Sequence, residues 1–154
     1  MKLQLTLALL LFTAVAASAQ VGTRNYLDQT GFNGIHPGDT ITKIPKEQLT
    51  VINAGTGKGD ELYSYNNGNA LKLTDKIALQ KVEINYFHNK VMSISLYFNE
   101  ADLQAINEYF DKIYGKGETA ERYISQYTAE HSELVLQGKT KDGGYKAYIS
   151  WPDQ

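Results

Sequence analysis

Two runs of strict alternation lie back to back in the middle of the chain. Val82, Ile84 and Tyr86 alternate with Lys81, Glu83 and Asn85, and after His88-Asn89-Lys90 a second run sets Met92, Ile94, Leu96 and Phe98 on one face. Period-two alternation marks a strand with one buried side, so the pair predicts a β-hairpin. Its register follows from which side chains share the buried face. A two-residue turn sets Met92 and Ile94 beside Phe87 and Asn85, whereas a three-residue loop or a bulge sets them beside Tyr86 and Ile84. The apolar match favours the longer loop or the bulge.

At Asn99 the period changes. Leu103, Ile106, Phe110 and Ile113 recur at helical spacing, which predicts a helix over about 100–114. Asn99 is its candidate N-cap, Glu100 and Asp102 put negative charge in its first turn, Lys112 and Lys116 lie toward its end, and Gly115 suits a left-handed cap. Three strands follow at 121–128, 133–137 and 145–151, the last on a face shared by Tyr145, Ala147, Ile149 and Trp151. The second half therefore reads ββαβββ. It predicts an α+β domain, an antiparallel sheet with one main amphipathic helix packed across one face. The order from Lys81 to Trp151, with the helix ending in Ile113-Tyr114-Gly115-Lys116, is similar to cystatin-like helix-on-sheet architectures. That resemblance implies a fold and carries no catalytic residue across.

The first half is patterned more weakly. A strand is expected at 49–52, a loop at 53–60, and a second strand at 61–65 with Leu62 opposed to Tyr63 and Tyr65. Asn67-Gly68 suits a type I′ turn, which predicts a hairpin whose return strand, 69–74, puts Leu71 and Leu73 on one face. Asp39 and Thr40 suit the cap of a short turn carrying Ile41 and Ile44, stopped by Pro45. Residues 20–38 are polar and glycine-rich and read as an irregular N-terminal arm, anchored by Tyr26, Leu27, Phe32 and Ile35.

The extreme N-terminus changes the picture of where the protein works. Met1-Lys2, an apolar run from Leu3 to Phe12, and Ala17-Ser18-Ala19 form a signal peptide over 1–19, cleaved after Ala19. Gln20 follows the cleavage site where a lipoprotein would need cysteine. What remains is roughly 135 residues, enough for one domain over 39–154 that is stable without covalent staples. The product is expected to be secreted or periplasmic, and no second apolar run approaches the roughly 20 residues needed for membrane insertion. The chain has no cysteine, which excludes disulfides, thiolate nucleophiles and zinc-thiolate sites and points to a bacterial rather than an animal source. A formal charge of −2, with both signs interspersed, speaks against a nucleic-acid surface.

Candidate chemistry is sparse. Gly55-Thr56-Gly57-Lys58-Gly59-Asp60 lacks the glycine and the hydroxyl residue that a phosphate loop requires, since Ile52 and Gly59 occupy those positions. His36, His88 and His131 fall in turns with no metal-ligand spacing, and Asn66-Asn67-Gly68-Asn69 lacks the charged ligands of a calcium loop, so no metal or other cofactor is expected. No serine sits in a Gly-x-Ser-x-Gly elbow. The acids, among them Asp60, Glu61, Glu100, Asp102, Glu130, Glu133 and Asp142, fall where solubility and helix capping explain them. No catalytic residue is therefore assigned.

The chain's eleven tyrosines are its compositional oddity. Tyr97 and Tyr148 lie opposite the faces assigned to the core, and two outward tyrosines on one sheet would make an aromatic binding surface. Strand propensity and ring packing explain the remainder. The expectation is an exported, non-catalytic binding module that recognises a protein, peptide or glycan, with Tyr97 and Tyr148 as binding candidates. The alternative is a small exported hydrolase whose carboxylate pair is assembled only by the fold.

Overall fold

The computed structural model describes residues 31–55, 60–69, 71–120, 123–140 and 144–151. The expected leader, its expected cleavage after Ala19, and Tyr26 and Leu27 of the expected arm lie outside the described residues. The chain is α+β. Its strands are β1 (Leu49–Asn53), β2 (Asp60–Tyr65), β3 (Lys72–Thr74), β4 (Ile77–Ala78), β5 (Lys81–Phe87) and β6 (Lys90–Phe98), followed after the helix by β7 (Glu118–Ala120), β8 (Tyr123–Thr128), β9 (Glu133–Gln137) and β10 (Tyr145–Ser150). Helix α1 (Leu103–Tyr114) is entered through a 3-10 turn over Glu100–Asp102. Eight strands form one antiparallel sheet in the order β1-β2-β5-β6-β10-β9-β8-β7, and β3 pairs with β4 apart from it. The chain lays down four strands, crosses by α1 to the far edge, and returns through four more until β10 closes against β6.

The β5–β6 hairpin shows how the core sets register. His88 and Asn89, at φ of 49° and 65°, make a two-residue turn, so the connection is tight rather than long. Such a turn alone would put Asn85 opposite Met92 and send the apolar residues of β6 to the wrong face. A bulge restores the match: Tyr86 faces Val91, Asn85 faces Ser93, Ile84 faces Ile94 and Val82 faces Leu96. The residue squeezed out is Met92. Val91, fully buried, takes the inner place expected for Met92, which is half-buried.

Helix α1 buries Ile106, Phe110 and Tyr114. The Phe110 and Tyr114 rings both lie 6.0 Å from Tyr127 of β8, so α1 rests on the C-terminal part of the inner face. The expected N-cap is not a side-chain cap. Asn99 accepts the Asp102 N–H through its backbone carbonyl, while its side-chain oxygen accepts from Gln80 Nε2 at 2.6 Å. Gly115 has φ of +82° but ψ of 173°, so it ends the helix in an extended conformation open to glycine alone and not in the left-handed cap expected. Beyond it the structure adds β7, which was not expected, and starts β8 at Tyr123.

The Asn67-Gly68 hairpin does not form. Both edges of β2 are occupied, by β1 and by β5, where Tyr63 faces Ile84 and Tyr65 faces Val82. That pairing joins two apolar faces, and the segment between β2 and β5 becomes an excursion closed by the small β3–β4 pair. Asn66 and Asn67 still make turns, their side chains accepting the N–H groups of Gly68 and Asn69.

Residues 31–48 cover the N-terminal part of the sheet as an irregular strap. Phe32 and Ile35 are buried, with the Phe32 ring edge-on to Tyr65 at 6.3 Å. Gly38 and Asp39 then pair with Val91 through two backbone hydrogen bonds of 2.7 and 2.8 Å, prolonging the line of β10 along β6. A side chain at Gly38 would collide with the Trp151 ring, and its φ of +86° also requires glycine. Two 3-10 turns, Ile41–Lys43 and Lys46–Gln48, carry the strap to β1, with Ile44 buried between them. Neither turn has a side-chain cap: Asp39 instead accepts the His36 N–H and pairs with the Lys43 ammonium.

Candidate functional site

Tyr97 and Tyr148 stand on the outer face of paired strands, where Lys146 faces Tyr97 and Ser95 faces Tyr148, so the two tyrosines are diagonal neighbours. Both are half-buried. The Tyr97 hydroxyl donates to Glu83 at 2.7 Å, and the Lys81 ammonium lies 4.0 Å from the Tyr97 ring centroid. Tyr148 is hydrogen-bonded to Tyr123 and has the Lys146 ammonium 5.6 Å from its ring centroid. Burial first, then the bond to Tyr123, raises the Tyr148 hydroxyl above the ordinary tyrosine range. Val135, opposite Tyr148, is fully buried although its neighbours Leu134 and Leu136 belong to the inner face. This surface is aromatic, but its hydroxyls and ring faces already have partners in the chain.

Asp142 and Thr56-Gly57-Lys58-Gly59 lie outside the described residues, and the three histidines each sit beside a different neighbour. His36 lies 3.4 Å from Asp39, His88 stacks on Phe87 at 4.1 Å, and His131 is 3.7 Å from Glu130. Among the described residues no cluster of three or more His, Asp or Glu could hold a metal ion. Ser125 is buried and donates to Asn107, beside Tyr127, whose hydroxyl donates to Asp111 at 2.8 Å. This is a polar seam between α1 and β8. Among the described residues, the carboxylates with displaced ionisation are Asp39 and Glu83, both displaced downward. Burial pushes Asp39 up, but the Lys43 hydrogen bond, the His36 N–H and the charge of Lys43 outweigh it; Glu83 is lowered against burial by Lys81 and Tyr97. Both are anions at neutral pH.

A less satisfied surface lies at the β1 edge. Among the described residues β1 pairs only with β2, so the backbone of its other side has no described strand beside it. Its five residues, Leu-Thr-Val-Ile-Asn, carry no charge, and Val51 and Ile52 are 54 % and 51 % exposed. A bulge between Val51 and Asn53 lets these consecutive apolar residues both reach solvent. Beside the edge the strap leaves an open groove of about 520 Å³. Leu49, Val51 and Tyr63 form its sheet side, and Ile41, Ile44 and Pro45 its strap side. Tyr63 is held firmly there, its ring edge-on to Tyr86 at 5.3 Å and its hydroxyl donating to Glu61 at 2.5 Å. That bond, with burial second, raises the Tyr63 hydroxyl.

Among the described residues, the one charged side chain lining the groove is Lys46. Sequence reasoning placed a strand here but missed the site, because neither the edge position of β1 nor the strap across it is a local property. The available signal was an uncharged run with two adjacent apolar residues and no alternation.

No protein-family model, curated protein or solved structure matches this chain.

Proposed function

We propose that this chain is an exported, non-catalytic binding module that recognises a protein or peptide segment at the β1 edge. The observation that carries the reading is an uncharged edge strand with two exposed apolar residues, lying beside an apolar groove. Edge strands accept added strands through their free backbone groups, and adjoining pockets select among side chains. A groove of this volume falls in the range that holds small ligands and side chains, and its aliphatic walls suit aliphatic side chains better than sugar hydroxyls. The alternative, a hydrolase built on a carboxylate pair, needs one carboxyl held protonated in a cleft. Asp39 and Glu83 are shifted the other way.

Panning a random linear peptide library against the mature chain, with a Val51→Lys variant as counter-selection, tests the reading. Enriched sequences that bind the parent and are lost on the variant support it. Enrichment insensitive to Val51→Lys but abolished by Tyr97→Ala with Tyr148→Ala would move the site to the outer face and overturn it.

A further inference from the structure

Building on that reading of the β1 edge, we infer that its occupant is an extended peptide, antiparallel to β1, with apolar side chains at two alternate positions and an acidic residue following them. Every strand pair in the sheet is antiparallel, and antiparallel pairing is slightly the more stable per residue. Leu49 and Val51 share the groove side of β1, two residues apart. A strand added to this edge presents every second side chain to the same side, at a spacing of about 7 Å. Two aliphatic side chains then enter between the sheet and Ile41, Ile44 and Pro45.

The charge requirement comes from the rim. Among the described residues Lys46 is the one charged group lining the groove, and its ammonium makes no ion pair with any of them. Lys43, close by in sequence, is by contrast tied to Asp39. Lys46 precedes β1 at its Leu49 end. An antiparallel partner runs from the Asn53 end toward the Leu49 end, so its C-terminal portion meets Lys46. The carboxylate therefore belongs after the apolar pair.

The test uses three end-blocked, fluorescein-labelled heptapeptides, titrated by anisotropy against the mature chain. The first has leucines at two alternate positions followed by two glutamates. In the second the glutamates precede the leucines, and in the third lysines replace them. The first should bind about three to five times more tightly than the others, the range that an exposed ion pair supplies. Lys46→Glu should turn the preference toward the lysine peptide, while Val51→Lys and, as a second edge variant, Ile52→Lys should weaken all three. Circular dichroism of each variant checks that it folds. Equal binding of all three peptides, unaffected by Lys46→Glu yet lost on Val51→Lys, overturns the acidic chemistry and leaves the edge site standing. Binding unaffected by either edge variant, or no binding at millimolar peptide, overturns the inference, and the library then decides the edge reading separately. A dimer in sedimentation velocity that Val51→Lys makes monomeric would give the edge to a second copy and also overturn it.

Discussion

The two edges of the sheet are built to opposite specifications. At one end β7 is three residues long, opens with Glu118 and leaves Glu118 and Thr119 exposed. It is backed by the seam in which Asp111 accepts both the Tyr127 hydroxyl and the Gly117 N–H. At the other end β1 is five residues long, uncharged, and carries two of the chain's exposed large apolar side chains. Natural sheets blunt their edges with short strands, charge and bulges, because a free edge recruits other strands. β7 uses all three, with a register shift between Glu118 and Ala120 as its bulge. β1 uses only a bulge, and the groove beside it adds an apolar floor. The contrast separates an edge that is blunted from one that keeps a longer, uncharged strand, the edge on which the proposal rests.

The largest effect expected from this contrast lies in the core next to the blunted edge. Phe110 is 1 % exposed and touches Tyr109, Tyr114 and Tyr127. Phe110→Ala should cost roughly 3 to 5 kcal/mol in urea unfolding. Val51→Ala, at the open edge, should cost less than about 1 kcal/mol, since its side chain is already half in solvent. Similar losses for the two would mean that Val51 is a core residue and that the edge is not a free surface.

A smaller contrast separates two buried tyrosine hydroxyls. Tyr127 donates to Asp111 beside the blunted edge, and burial followed by that bond raises its ionisation. Tyr86, behind Tyr63 of the groove, is 1 % exposed, and its hydroxyl has no hydrogen-bond partner among the described residues. Tyr127→Phe should cost about 1.5 to 3 kcal/mol, the worth of a hydrogen bond to a charged group. Tyr86→Phe should be neutral or stabilising, because it removes a desolvated hydroxyl that gains nothing in return. Thermal unfolding of the two variants side by side decides this, and equal losses would break the distinction.

What the sequence disclosed divides along the same line. The β5–β6 hairpin, α1, β9 and β10 were legible because alternation or helical spacing ran long enough to name the buried face. Tyr97 and Tyr148 were placed on the outer face by the same alternation, while their partners Glu83 and Tyr123 come from neighbouring strands that local pattern does not specify. Asn67-Gly68 signalled a turn correctly and a hairpin wrongly, since a turn residue fixes local φ and not the strand that pairs afterwards. Met92 fitted the alternation but was displaced by the tight turn at His88-Asn89. The groove was illegible because Ile41, Ile44 and Pro45 meet Val51 only once the strap has crossed the sheet.

The smallest expected effect concerns the attachment of that strap, and so the far wall of the groove. Asp39 pairs with Lys43, accepts the His36 N–H and, through its backbone, joins Val91. Its carboxyl sits below the ordinary value of 3.8 in the folded chain. The unfolded chain therefore binds a proton before the folded chain does, so stability from this group is fully present above about pH 4 and is lost as pH falls through the lowered value. Lys43 is 63 % exposed, which screens the pair and keeps the contribution under about 1 kcal/mol. Asp39→Asn should accordingly lower stability slightly at pH 7 and flatten the decline measured between pH 5 and 2. Glu83→Gln supplies the control away from the groove, because Glu83 is lowered in the same sense by Lys81 and Tyr97 on the outer face. If the strap holds the groove open through Asp39, Asp39→Asn should also weaken capture of edge-binding peptides at pH 7, and Glu83→Gln should not. Equal peptide binding by the two variants would show that the groove wall is held by Ile44 and the backbone bonds to Val91 alone.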